Sequence, residues 1–341
     1  MGTVVVVGAG IIGSSVAYHC ARLGAEVTLV DKTLPGAGAT GDSFAWIGAS
    51  DRVPGPGGPL RAAALREYRR LADEVPDVRV RWTGSLSWGG AEPENVREAG
   101  ARLLDADAVA ALEPHLRHPP ERAVHLAGDG VVDPVATTDA LVAAAVAQGA
   151  RTLFATVVTG LRRAGGQVVG VETTAGAVGA DAVVLAAGAD VAVLCAPLGV
   201  AVPVASSPAL LLRLTGPPDL VRTVIATPEV EIRAGRDGEL LAPLAHTGET
   251  TATALARSAE RARGRIAAMF HSGEDVRLRS VRVGARPMPV GGHPLIGPLV
   301  PGAYLAVMHS GVTLAPVAGR LVAEEVVHGV EAPELHGCRP G

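Results

Sequence analysis

The strongest constraint on the fold lies at the start of the chain. Thr3 to Val7 is a β-branched run, Gly8-Ala9-Gly10-Ile11-Ile12-Gly13 follows at once, Ser14 to Leu23 has helical spacing up to Gly24, and Glu26 to Val30 is a second strand-like run closed by Asp31. Strand, glycine turn, helix and strand in that order predict a βαβ unit. Gly8 permits the tight turn, Gly10 lets the backbone approach a diphosphate, and Gly13 lets the helix pack closely on the strand. Asp31, about twenty residues on, is placed to accept hydrogen bonds from ribose hydroxyls. Glycine turns also occur for purely structural reasons, but the strand, the helix and the acid around this one favour a dinucleotide. The fingerprint alone does not separate FAD from NAD.

The chain of 341 residues is long enough for two lobes. Its residues are 48% hydrophobic but only 3% aromatic, so the core must be Val, Leu, Ala and Ile, which suits buried parallel strands under helices and predicts an α/β class. A net charge of −4 without a basic stripe argues against nucleic-acid binding. Cys20, Cys195 and Cys338 are far apart and form no CxxC, so neither a disulfide framework nor a zinc site is expected. His115 and His118 have a metal-pair spacing without a third ligand, and no metal is predicted. Lys32 is the only lysine and follows a strand end, which argues against Schiff-base chemistry. With no basic leader and no stretch long enough to span a bilayer, the expectation is a soluble, cytoplasmic protein.

Further along, helices are predicted over Leu60 to Glu74, Asp105 to Leu112, Val135 to Gln148, Thr251 to Phe270 and Thr313 to Val327, the last stopped by Gly329. Strands are predicted over Arg79 to Trp88, Thr152 to Leu161, Gln167 to Thr173, Ala182 to Leu185, Glu239 to Leu244 and Ala303 to Met308. The Gly- and Pro-rich stretch from Pro35 to Pro59 reads as ordered loop.

Several segments, in order and spanning nearly the whole chain, resemble the flavin amine oxidase family of glycine oxidase, D-amino-acid oxidase and sarcosine oxidase. They are Gly38-Ala39-Thr40 with Ser43-Phe44-Ala45-Trp46, Gly130 to Pro134, Val183-Val184-Leu185-Ala186-Ala187-Gly188, Gly284-Ala285-Arg286-Pro287 through His293-Pro294-Leu295-Ile296-Gly297-Pro298, and His309-Ser310-Gly311-Val312-Thr313-Leu314-Ala315-Pro316. The resemblance implies FAD as cofactor. Its contacts would be Gly8, Gly10, Ile11, Ile12, Gly13, Asp31, Lys32, Ala39, Thr40, Ser43, Phe44, Val157 or Val158 near the adenine, Ala187, Gly188, and the helix start at Gly311, Val312, Thr313 and Leu314 beside the pyrimidine end of the flavin. A helix N-terminus there would stabilise the anion of the reduced ring.

The same resemblance makes Arg286 the holder of a substrate carboxylate, through two parallel hydrogen bonds; on sequence context alone it would read as a surface arginine. His309 and Ser310 would touch the flavin edge or the substrate amine, His309 as a proton acceptor, though a structural histidine fits as well. Trp46 would wall the substrate pocket or serve the core, and His246 is a further pocket candidate. Where relatives carry a flavin-linking histidine this chain has Phe44 or Ala45, and no cysteine lies near Arg286, so the FAD is expected to be non-covalent. The lysine that sarcosine oxidase uses toward oxygen has no counterpart, which leaves O2 or another electron acceptor open.

The expected fold is a Rossmann-like FAD-binding domain (residues 1–78, 133–204 and 284–330) interleaved with a smaller, mostly antiparallel α+β substrate domain (79–132 and 205–283). The expected reaction is hydride removal from the carbon beside an amine in a small amino acid or secondary amine carboxylate, giving an imine that hydrolyses. The rivals are an FAD-dependent 2-hydroxy acid dehydrogenase, a non-catalytic FAD-binding protein and an NAD-dependent dehydrogenase. Oligomeric state is left open.

Overall fold

The computed structural model describes residues 2–48, 55–90 and 100–340, so the Gly/Pro-rich loop reading lies partly outside the described residues. The βαβ unit is present: strand Thr3–Val7, helix Ile11–Arg22 and strand Glu26–Val30, with the two strands parallel and in register from Thr3 opposite Glu26 to Val7 opposite Val30. These strands are central in a six-stranded sheet ordered 295–300, 303–307, 182–185, 3–7, 26–30, 151–153. All its pairings are parallel except that of Leu295–Val300 with Ala303–Val307 at one edge. The strands next in the chain, 26–30 and 151–153, lie on one side of Thr3–Val7 and Ala182–Leu185 on the other, so Thr3–Val7 and Ala182–Leu185 flank the switch point where α/β sheets bind ligands at their carboxyl ends.

Val4, Val6, Val27 and Leu29 point into one core with helices Ile11–Arg22, Gly58–Glu74, Pro134–Ala147 and Gly311–His328. Val5, Val7, Val183 and Leu185 point into another, under the antiparallel sheet of Val158–Ala164, Gln167–Thr173 and Gly176–Gly179. Strands buried on both faces explain why their sequence is a continuous apolar run.

The second large sheet has eight strands, ordered 277–289, 204–215, 239–245, 231–234, 224–226, 85–87, 122–126, 101–105, and is antiparallel except where Val224–Ala226 pairs with Ser85–Ser87. One face carries Leu210, Leu212, Leu214, Leu240 and Ala242 against helix Ala252–Met269. The opposite face meets the 41–46 segment. Arg213 donates to the Gly41 carbonyl, Arg282 pairs with Asp42 at 2.8 Å, and a Cβ on Gly284 would lie 2.7 Å from Asp42.

Two predicted strands are broken in the fold. Thr152 to Leu161 is Arg151–Leu153 in the six-stranded sheet and the separate strand Val158–Ala164, because Ala155 adopts φ 51° and turns the chain between them. Arg79 to Trp88 contains only Ser85–Ser87, after Gly84 at φ 70°, with Arg81 making an isolated bridge to Val131. An unbroken β-branched or alternating run does not reveal a single residue of positive φ. The expected boundary at residue 284 falls inside the continuous strand Arg277–Pro289.

Candidate active site

Two helix N-termini meet at the switch point. Helix Ile11–Arg22 begins after Gly10, helix Gly311–His328 begins after Ser310, and neither is capped by the side chain of its own N-cap residue or carries an acidic residue in its first turn. The two pack closely: Ser15 Oγ donates to the Ala315 carbonyl at 2.8 Å, a Cβ on Gly319 would lie 2.1 Å from Ser15 Oγ, and one on Gly311 would lie 3.6 Å from Ile12 Cγ1. Two positive dipole ends side by side make a natural seat for anionic groups.

The glycine turn has no room for side chains. Gly8 has φ 106° and a Cβ there would lie 2.5 Å from the Ala186 carbonyl oxygen, while a Cβ on Gly13 would lie 1.8 Å from the Gly8 carbonyl oxygen. Asp31 clamps the same turn: Oδ2 accepts from the Ala9 N–H at 2.6 Å, and Oδ1 accepts from the Thr33 N–H and hydroxyl. Ile11 N–H is taken by Thr40 Oγ1 at 3.1 Å, so the helix start is tied to the following loop, in which Ser43 Oγ accepts from the Ala45 N–H and Ala39 is half-buried. Ser14, which sequence reasoning passed over, buries a hydroxyl with no partner in the first turn of this helix.

The remaining candidates are distributed around this seat. Ala187 and Gly188 (φ 57°) lie just past Ala182–Leu185, and Lys32 pairs with Asp190 at 2.6 Å on the surface beyond them. Val157 is exposed, its N–H bonded to Thr174 Oγ1, and Val158 starts its strand. Leu314 offers no free donor, since its N–H bonds to the Ser310 carbonyl at 3.2 Å and its side chain is fully buried; the unclaimed amides of this helix belong to its first three residues, Gly311, Val312 and Thr313. Thr313 Oγ1 donates to the Trp46 carbonyl, and Trp46 Nε1 donates to Asp129, which also takes the Ser85 hydroxyl. Pro316 lacks an N–H, which frees the Val312 carbonyl four residues earlier; buried Tyr68 donates its hydroxyl there at 2.6 Å.

Arg233, also missed in the sequence, holds the 44–46 segment against the eight-stranded sheet. Its guanidinium is 2% exposed, lies over the Phe44 ring, and donates to the carbonyls of Phe44, Val132 and Ala234. Burial and the nearby Arg81 push its pKa down to about 9.

Arg286 stands on the same sheet face, paired in register with Ser207, whose Oγ accepts from Nη2 at 3.1 Å. Its Nε is buried without a partner. His309, half-buried just before helix Gly311–His328, is held below the usual histidine pKa by burial and by the cations of Arg286 and Arg61. His246 is not brought into this group. It follows Ala245, which pairs with Ala209, and successive residues alternate faces, so His246 falls on the other side of the sheet from Arg286. Its ring nitrogens are engaged in its own loop, with the Glu249 carbonyl and the Gly248 N–H.

A depressed pKa keeps His309 neutral near pH 7 and able to accept a proton. Histidine NMR titration should give a His309 midpoint below about 6.5, and Arg61→Gln or Arg286→Met should each raise it by removing a neighbouring cation. A wild-type midpoint at or above the ordinary value would contradict this electrostatic picture.

The family model of the FAD dependent oxidoreductases matches residues 3–325. The chain belongs to this family. It is 33% identical over 183 residues to the anaerobic glycerol-3-phosphate dehydrogenase subunit A1 of Haloferax volcanii, covering 50% of this chain and 31% of that protein. It is 31% identical over 193 residues to the glycine oxidase of Bacillus licheniformis, covering 51% and 48%. The chain thus spans half or less of the length of these curated relatives. The crystal structure of glycine oxidase from Geobacillus kaustophilus superposes with a TM-score of 0.86 at 24% identity, covering 100% of this chain and 99% of that one. Among the described residues no helix is long and apolar enough to cross a membrane. The family resolves the choice that the fingerprint left open in favour of FAD. The site fits that cofactor: a Cβ on Gly8 or Gly13 would collide with backbone in the glycine turn, two helix N-termini without capping N-cap side chains or first-turn acids suit anionic groups, and the Ser14 hydroxyl is an orphan beside one of them.

Proposed function

We propose that this chain oxidises the C–N bond of a small amino acid or secondary amine carboxylate. The observation that carries this reading is Arg286: a guanidinium with a buried, partnerless Nε on the sheet face that meets the 41–46 segment. An arginine in this state suits the carboxylate of a substrate, which would complete its hydrogen bonds. The similarity to glycine oxidase supports the same class.

Non-covalent FAD would be held by Gly8, Gly10, Ile12, Gly13, Ser14 and Asp31 at its nucleotide half and by the amides of Gly311 to Thr313 at its flavin half. When bound, FAD supplies the acceptor of the hydride from the substrate α-carbon. Arg286 orients the carboxylate, so that the α C–H is fixed; His309 takes a proton from the substrate ammonium, leaving the neutral amine that can lose hydride; Trp46 and Phe44 exclude water. Loss of the hydride and one N–H proton gives an imine, and water converts it to a carbonyl compound with release of ammonia or an amine. Buried Cys20, Cys195 and Cys338 fit a cofactor bound without a thioether link. For the division into a discontinuous FAD unit and a substrate unit we keep the expected boundaries except that at 284, which moves so that Arg277–Pro289 stays whole on the substrate side.

A second reading, oxidation of a hydroxyl-bearing acid, is favoured by the Haloferax similarity. The test is anaerobic mixing of the FAD-loaded protein with D-amino acids, N-methyl amino acids and 2-hydroxy acids while flavin absorbance is followed. Bleaching by an amino compound is expected. Bleaching by hydroxy acids alone would replace the first reading with the second, and no bleaching at all would remove both.

A further inference from the structure

Arg61 is a second cation without a counter-ion at the same place. Among the described residues the other half-buried arginines have carboxylate partners, Arg70 and Arg320 with Glu67, Arg213 with Glu239, Arg263 with Glu260 and Arg339 with Glu325, and the buried Arg233 has three carbonyls. Among the described residues neither Arg61 nor Arg286 has one. Arg61 is half-buried in the first turn of helix Gly58–Glu74, and desolvation lowers its pKa. A protein that desolvates a guanidinium without pairing it has left a charge to be met by something else.

The geometry packs the Arg61 helix against the loop after the Arg286 strand and against the helix after His309. Positions 61, 65 and 68 share one face of the helix; Leu65 packs into the core, and Tyr68 hydrogen-bonds the Val312 carbonyl, three residues after His309. The start of the helix abuts the loop that follows the Arg286 strand: a Cβ on Gly57 would lie 3.0 Å from Pro294, and one on Gly55 would lie 2.7 Å from the His293 ring. Arg61 and Arg286 therefore approach His309 from two elements, and both cations act on its pKa.

We propose that the substrate carries a second acidic group, and that Arg61 binds it while Arg286 holds the first. This deepens the reading given above and rests on it. Arg61 is then a specificity residue: it selects amino acids or amines with a further carboxylate, or a phosphonate- or phosphate-like group, over neutral analogues of the same length.

The test uses the FAD-loaded protein and non-reacting probes, so that it is independent of turnover. Butanoate, succinate and 3-phosphonopropanoate are titrated, with flavin absorption shifts and calorimetry as readouts. Succinate or the phosphonate should bind at least tenfold more tightly than butanoate, and whichever binds better identifies the second group. Arg61→Gln should bring the ratio to the better diacid close to one, Arg61→Lys should retain part of it, and Arg286→Met should weaken all three probes. Equal affinities in the wild-type protein, or a preference that survives Arg61→Gln, overturns the proposal. If neutral amino acids bleach the flavin while no diacid is preferred, this inference fails and the amine-oxidation reading stands; if nothing bleaches it yet diacids are preferred, the reverse holds.

Discussion

Replacing Gly13 with alanine should cost the protein its flavin. The added methyl would sit 1.8 Å from the Gly8 carbonyl oxygen and 3.3 Å from Ala186 Cβ, so helix Ile11–Arg22 must move away from the turn it rests on. Both sides of that contact are backbone, and a backbone collision cannot be relieved by a rotamer change. Overpacking of this kind costs about 1–3 kcal/mol of folding stability. Its effect on FAD should be larger in proportion, because the proposed contacts of the Ile12 and Gly13 amides with the diphosphate would be displaced. We expect FAD affinity to fall at least tenfold, measured as flavin retained on dialysis, together with a lower melting temperature. Gly264→Ala is the control. Gly264 lies in the helix Ala252–Met269 with nothing within 4 Å of a Cβ, and alanine there should stabilise by about 0.5–1 kcal/mol with flavin content unchanged. If Gly13→Ala retains FAD with wild-type affinity, the cradle described above is not what binds the diphosphate.

Arg286→Met should lower kcat/KM for the best amino substrate by roughly 10²–10³-fold, mostly through KM. Removing one partner of a desolvated, hydrogen-bonded charge pair costs about 2–5 kcal/mol, because the remaining carboxylate is left unpaired, and each 1.4 kcal/mol is tenfold. Methionine preserves much of the apolar stem, so Ser207 loses only one hydrogen bond and the sheet register should hold. The discriminating measurement is a cycle with an amine of the same skeleton that lacks the carboxylate. Against that amine, wild type and Arg286→Met should differ less than fivefold. A similar loss for both substrates would mean that Arg286 supports the site's shape and does not hold the carboxylate.

The two arginines and His309 also bear on how substrate protonation is managed. Burial and the cations around the half-buried imidazole lower its pKa, so on the proposed reading a carboxylate arriving between them would partly reverse that shift and make His309 a better base. That would couple anion binding and proton acceptance in one cluster.

The βαβ unit and its glycine turn were legible because their signal is local. Gly8, Gly10, Gly13 and Asp31 act through backbone conformation and close approach within one βαβ unit, and such constraints depend on residues near in sequence. The helix over 311–328 and its αL stop at Gly329 were legible for the same reason. Arg286 was named only through resemblance, since an arginine between two extended segments carries no sign of whether it faces solvent or a site. Sheet register decided that question, pairing it with Ser207 on the face that meets the 41–46 segment; the same two-residue alternation turned His246 to the opposite face. Arg233 and Arg61 gave no signal at all, because one side chain caps carbonyls far away in sequence and the other is brought beside His309 by helix packing. The sequence alone determined the α/β class and the glycine turn, both properties of short-range backbone geometry, while the cofactor type came from the order of motifs shared with a family. Only the tertiary structure decided which charges are left without partners, because pairing depends on which distant elements pack together, and it is those unpaired charges that point to the substrate.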